Sequence, residues 1–147
     1  MLFRSPGVGV VGWRLCGAAD WEVACEGPSR SCDWSYGNGQ SCTASAPQTC
    51  NGNEYDSNPA LPGDQDALMT TGDSQFPMCG TTWPDGGVYD MSGNAKEWTS
   101  TAVGSGIYGI RGGSYTNIEQ GRQCDFDFVA AAQTFSHINT GFRCCYY

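Results

Sequence analysis

Tyr89-Asp90-Met91-Ser92-Gly93-Asn94-Ala95-Lys96-Glu97-Trp98, followed by Arg111-Gly112-Gly113-Ser114-Tyr115, sets the reading of this 147-residue chain. Both stretches are glycine-centred turns among short pieces with strand character. From Val88 onward such pieces alternate with glycine turns: 88–91 VYDM, 106–115 GIYGIRGGSY, 124–131 CDFDFVAA and 140–147 TGFRCCYY. Asp125 and Asp127 alternate with Phe126 and Phe128, the period of two expected of a strand with one apolar face. Only residues 17–26 read as a helix. Gly17 is placed to cap it, Asp20 sits in its first turn, Trp21 and Cys25 lie four apart on one face, and Gly27-Pro28 stops it. The chain therefore reads as α+β, loop-rich, with short twisted strands and few helices.

Composition narrows the function classes. The length suits one domain, and a domain of this size buries about 70% of the surface its unfolded chain exposes. Seven Lys and Arg face fifteen Asp and Glu, a net charge of −8, which argues against a nucleic-acid partner. Nearly all of that charge lies in residues 51–97, where eight acids face the single Lys96. The segment reads either as solvated loops or as a calcium-binding region of carboxylates and loop carbonyls, without EF-hand spacing. No apolar run is long enough to cross a membrane. Residues 1–13, MLFRSPGVGVVGW, form an atypical N-terminal segment. They lack the pattern of a secretory signal. Residues 7–12 fit GxGxxG, but almost no chain precedes them to supply the strand that a dinucleotide fold requires.

Nine cysteines is an odd number, so at least one is not in an intrachain pair. None of the spacings gives the close pairs of a zinc site. Adjacent Cys144 and Cys145 are expected to point to opposite faces and pair separately, because a bond between neighbours is strained. The spread favours disulfides and an oxidising compartment, extracellular or periplasmic. A thiolate left over would suit Cu(I). The one histidine, His137, reads as structural or exposed rather than as a general base.

Four segments in order resemble the formylglycine-generating, or sulfatase-modifying factor, family. Arg14-Leu15-Cys16 with Ala19-Asp20-Trp21-Glu22 resembles its RLPTEAEWE helix. Asp33-Trp34-Ser35-Tyr36-Gly37-Asn38 resembles its PWGN turn. Tyr89–Trp98 resembles DMxGNVWEW, and Arg111–Tyr115 with Gly141-Phe142-Arg143-Cys144 resembles RGGSW…GFR. The resemblance covers 14–145 and marks 14–147 as the C-terminal portion of such a domain. It implies a C-type-lectin-like fold stabilised by calcium and disulfides, truncated on its N-terminal side.

The resemblance also implies chemistry. The family's enzymes oxidise a cysteine of a sulfatase polypeptide to formylglycine with O2 and Cu(I) held by two cysteines, so a protein or peptide substrate is implied. Cys124 matches the second copper cysteine, but Asn117 stands where the first belongs, and the spacing is two residues longer. Ser114 matches a residue that positions substrate or oxygen, or else it closes the glycine turn. One thiolate leaves Cu(I) under-coordinated. A related iron chemistry would need a set of histidines that this chain lacks. Gly93–Trp98 resembles a calcium-binding turn with Asn94, the Ala95 carbonyl and Glu97 as ligands. The alternative is that Glu97 pairs with an arginine such as Arg111. Cys25 matches a family cysteine whose partner position here is Val129. Cys144 matches one whose partner would lie near Val8, which makes it the candidate odd cysteine. Two functions follow: a copper oxidase, or a non-catalytic lectin-like ligand-binding or scaffold domain displaying residues 116–140.

Overall fold

The computed structural model describes residues 3–4, 12–37, 41–63, 66–127 and 129–147. The glycine-rich run at 5–11 and Phe128 therefore lie outside the described residues, and so does the position of Val8.

The helix forms where the sequence places it. α1 spans Ala18–Glu26, with Gly17 extended at its N-cap and Gly27 at φ 80° ending it. Its Trp21, Ala24 and Cys25 are buried and pack with Cys16, Val88, Met91, Cys124 and Cys145 as the main core. A second cluster under the long loops holds Trp34, Tyr36, Cys50, Phe76 and Cys79. Trp34 and Tyr36 are stacked there, 5.7 Å between centroids.

Short strands surround the helix. β1 (Phe3–Arg4), β2 (Trp13–Leu15) and β9 (Cys144–Tyr146) make a three-stranded sheet in the order β1-β9-β2, with β9 antiparallel to β2 and parallel to β1. β3 (Gly80–Trp83) and β4 (Gly86–Tyr89) form a hairpin around Pro84-Asp85, residues suited to a tight turn. β5 (Lys96–Gly104), β6 (Ile107–Arg111), β7 (Ala130–Ala132) and β8 (Thr140–Phe142) form a four-stranded sheet in the order β7-β6-β5-β8. Gly106, at φ 67°, closes the β5–β6 hairpin, a conformation that costs glycine nothing. β5 and β8 run parallel, pairing Lys96 with Thr140 and Trp98 with Phe142.

One strand expectation fails. Residues 124–127 are turn and irregular backbone, not strand. Cys124 is tied by its sulfur to α1, its N–H donates to Asp33 O at 2.7 Å, and Phe126 N–H turns back to Gln123 O. These anchors draw the backbone off the sheet, and pairing resumes only at β7.

Four disulfides join Cys16–Cys145, Cys25–Cys124, Cys32–Cys42 and Cys50–Cys79. Cys25 thus takes Cys124 as its partner, not the Val129 position. Cys144 is left as a free thiol. The two neighbours do point apart, but only Cys145 pairs. Alternation along β9 sends Cys145 into the core while Cys144 stays half-buried on the other face. Four bridges fit an oxidising, non-cytosolic compartment, and no helix among the described residues is long and apolar enough to cross a membrane.

Candidate functional site

β6 delivers the chain into the turn that carries the expected catalytic residues. Gly112 and Gly113 have φ of 86° and 63°. A Cβ on Gly113 would stand 2.6 Å from Gly121 O, and one on Gly112 would stand 2.7 Å from Met91 O, so only glycine fits either place. The next residue, Ser114, is fully buried. Its N–H and Oγ both reach Asn117 Oδ1 at 3.0 Å, and its Oγ also meets Thr116 Oγ1 at 3.0 Å and Asn139 Nδ2 at 3.1 Å. Ser114 is therefore the centre of a hydrogen-bonded turn. Asn117 caps that turn with its side-chain oxygen.

Cys124 lies beyond the 3-10 turn Glu119–Arg122. It is 1% exposed and bonded to Cys25, and its carbonyl accepts from Arg111 Nη1 at 3.2 Å. A sulfur in a disulfide offers no thiolate, and the amide at Asn117 is a poor ligand for a soft ion. The residues at these two positions do not fit Cu(I) in this arrangement, and no oxidative step is derived through it.

That 3-10 turn is pinned by buried charge. Glu119 accepts from Tyr36 Oη at 2.8 Å, from Ala46 N at 2.5 Å and from Ser45 Oγ. Burial, with the Glu119 hydrogen bond adding to it, raises the Tyr36 phenol well above its usual range. Arg122 has no exposed surface and meets Glu54 at 2.7 Å.

The expected calcium residues are engaged with protein donors. Asn94, at φ 63°, accepts on Oδ1 from Asn51 Nδ2 (3.1 Å) and Met69 N (2.9 Å), and its Nδ2 donates to Met69 O at 3.0 Å. The Glu97 carboxylate accepts from Trp21 Nε1 at 2.6 Å, from Arg143 Nε at 2.9 Å and from Arg143 Nη2 at 2.7 Å. Arg143 is thus the arginine that holds Glu97, whereas Arg111 lies 3.4 Å from Glu22. Burial works against the Arg143 cation, but Glu97 more than offsets this and raises its pKa. Asp90, whose Oδ2 accepts from Gly72 N–H at 2.7 Å, has its pKa raised, chiefly by burial. Asn94, Ala95 and Glu97 consequently do not fit a Ca2+ cage as arranged: two of the three present oxygens already filled by N–H groups. No group of three acidic, Cys or His residues suited to a metal occurs among the described residues. One buried acceptor nearby, Asn51 Oδ1, lacks a donor among them.

His137 is exposed. It stacks on Phe135 at 6.3 Å, and its Nδ1 lies 2.6 Å from Asn139 Oδ1. Asn139 thus stands between His137 and Ser114. The sequence reading missed Asn139, the Glu119–Arg122 anchors and the partner of Glu97. The signal for that last residue lies in Gly141-Phe142-Arg143, whose arginine is the cation that a buried Glu97 requires.

Residues 4–146 match the sulfatase-modifying factor enzyme 1-like domain. The chain belongs to this family. The match begins ten residues ahead of Arg14, so β2 and the last residue of β1 fall within the domain. Among curated proteins there is no match. Among solved structures, Treponema denticola variable protein 1 is similar with a TM-score of 0.61 at 16% identity, over 94% of this chain and 49% of that one. A crystal structure of CarF is similar with a TM-score of 0.56 at 22% identity, over 90% of this chain and 47% of that one. These likenesses support the C-type-lectin-like, loop-rich fold. The chain spans about half the length of each of the two.

Proposed function

We propose that this member of the family is a non-catalytic ligand-binding module with residues 116–140 as its display surface, rather than a copper oxidase. The observation that carries the reading is the fate of the two copper positions: Cys124 is spent in a disulfide to α1, and Asn117 caps the Ser114 turn. Deep burial of Glu119 and Arg122 supports a display role, because it fixes the start of the segment while residues 132–138 stay exposed. The likeness to a protein called a variable protein agrees with a fold whose surface can change while its anchors stay. Four bridges suit function outside the cytosol, in the extracellular space or periplasm.

The test is a Cu(I) titration of the oxidised protein. Absence of stoichiometric binding is expected. Tight one-to-one binding that Cys124→Ser abolishes would overturn the reading and restore the oxidase.

A further inference from the structure

We infer that the open edge of β7 takes an extended, basic polypeptide segment as an added strand of the larger sheet. β7 lies within the 116–140 surface, so this names a ligand class for the binding reading above and rests on it.

The backbone carries the first half of the inference. The sheet runs β7-β6-β5-β8, which leaves β7 with a neighbour on one side only. Tyr108 faces Ala131 across the antiparallel β6–β7 pair. At the two ends of that pair, Ile110 N–H donates to Val129 O at 2.8 Å and Gln133 N–H donates to Gly106 O at 3.1 Å. Residues 129, 131 and 133 therefore turn their backbone groups toward β6, and alternation turns those of Ala130 and Ala132 outward. Ala132 O accepts from Phe135 N–H at 2.8 Å. The Ala130 N–H, the Ala130 carbonyl and the Ala132 N–H meet no partner among the described residues, and both residues are exposed. Natural sheet edges are guarded by lysine, proline, a bulge or a covering loop. Residues 129–133, VAAAQ, hold neither charge nor proline, and β7 pairs with β6 in unbroken register. Main-chain donors and acceptors set along such an edge are matched by another extended main chain.

The charge of that segment follows from the approach to β7. Asp125 and Asp127 are exposed there, and neither meets a cation among the described residues. Asp127 precedes Ala130 by three residues, so chain length alone keeps it within about 10 Å of the edge. That is close to one Debye length, whichever way the carboxylate points. Arg111, which donates to the nearby Cys124 carbonyl, is already opposed by Glu22 at 3.4 Å. With a net charge of −8 on the chain, the edge draws a cationic segment, and like charge works against edge-to-edge pairing of two copies.

The experiment compares peptides on the intact, disulfide-bonded chain: Lys-Thr-Val-Thr-Val-Thr-Lys, the same peptide with glutamate at both ends, and the lysine peptide N-methylated throughout its Thr/Val core. It reads equilibrium binding and the amide exchange of Ala130 and Ala132. The lysine peptide is expected to bind about fourfold tighter than the glutamate peptide at low salt, the size of reversing one charge roughly 10 Å away in water. The gap narrows as salt is raised and in Asp127→Asn. The lysine peptide slows exchange at Ala130 and Ala132, and the N-methylated peptide does not bind. Ala132→Pro, which removes an outward donor and no bond to β6, abolishes binding while the Cys25–Cys124 bridge still forms. Undiminished binding of the N-methylated peptide would overturn the edge as the site. Equal affinity for the lysine and glutamate peptides would overturn the basic assignment. No binding by any peptide, or self-association that Ala132→Pro abolishes in its place, would overturn the proposal. In each case the copper titration tests the non-catalytic reading separately.

Discussion

Glu97→Gln is the sharpest perturbation of the fold. The substitution keeps the shape of the side chain and can keep the bond from Trp21 Nε1, but it removes the charge that faces Arg143. Both partners are 8% exposed, and Glu97 takes three of its hydrogen bonds from Trp21 and Arg143 at 2.6–2.9 Å. Removing one partner of a buried pair leaves the other charge uncompensated and typically costs about 3–5 kcal/mol. For a domain near this size each kcal/mol moves Tm by roughly 2–4 °C, so the variant should melt about 6–20 °C lower. Calorimetry with the disulfides intact is the assay, run with Ca2+ and with chelator. The shift should be the same in both, and a second change, Arg143→Met, should recover much of the loss. A shift below about 1 kcal/mol, or one seen only with Ca2+, would refute the ion-pair account and return Glu97 to the calcium reading.

Two further outcomes follow from buried groups. Asp90 has a raised pKa in the folded state, chiefly through burial, so the folded protein holds its proton at pH values where the unfolded chain has lost it. Stability from this group is present below the ordinary carboxylate pKa of about 3.9 and is lost as pH rises through the higher folded value. Asp90→Asn keeps an acceptor for Gly72 and suits the positive φ of 56°. It should therefore flatten the pH dependence of Tm in that window; an unchanged slope would count against the assignment. Gly113→Ala combines a φ of 63° with a Cβ 2.6 Å from Gly121 O. It should cost more than about 2 kcal/mol in denaturant unfolding, and a loss under about 0.5 kcal/mol would mean that the turn is built differently.

Much of the fold was legible because its signals are local. α1 carries a capping glycine, an acid in its first turn and a Gly27-Pro28 stop, and it forms where those signals lie. The glycine turns likewise mark where β6, β8 and β9 fall. The Asp125–Phe128 alternation misled because a sequence period cannot register two tethers formed far away, the Cys25 sulfur and the Asp33 carbonyl. At the candidate site, the residue positions were readable from the family motifs, but their partners were not. Glu97 and Arg143 are 46 residues apart, and Cys25 and Cys124 are 99 apart. Pairing at that range is decided by packing around Trp21, which spacing does not encode. The odd cysteine was legible, because Cys144 is the thiol left over.

The central claim, that Cys124 serves structure and not copper, is tested most directly by mapping the cysteines of the native, unreduced protein. The chain is alkylated after denaturation without reductant, digested and analysed by mass spectrometry. A linked peptide pair containing Cys25 and Cys124 is expected, with alkylation of Cys144 alone. An alkylated Cys124, with Cys25 found free or in another bridge, would contradict it.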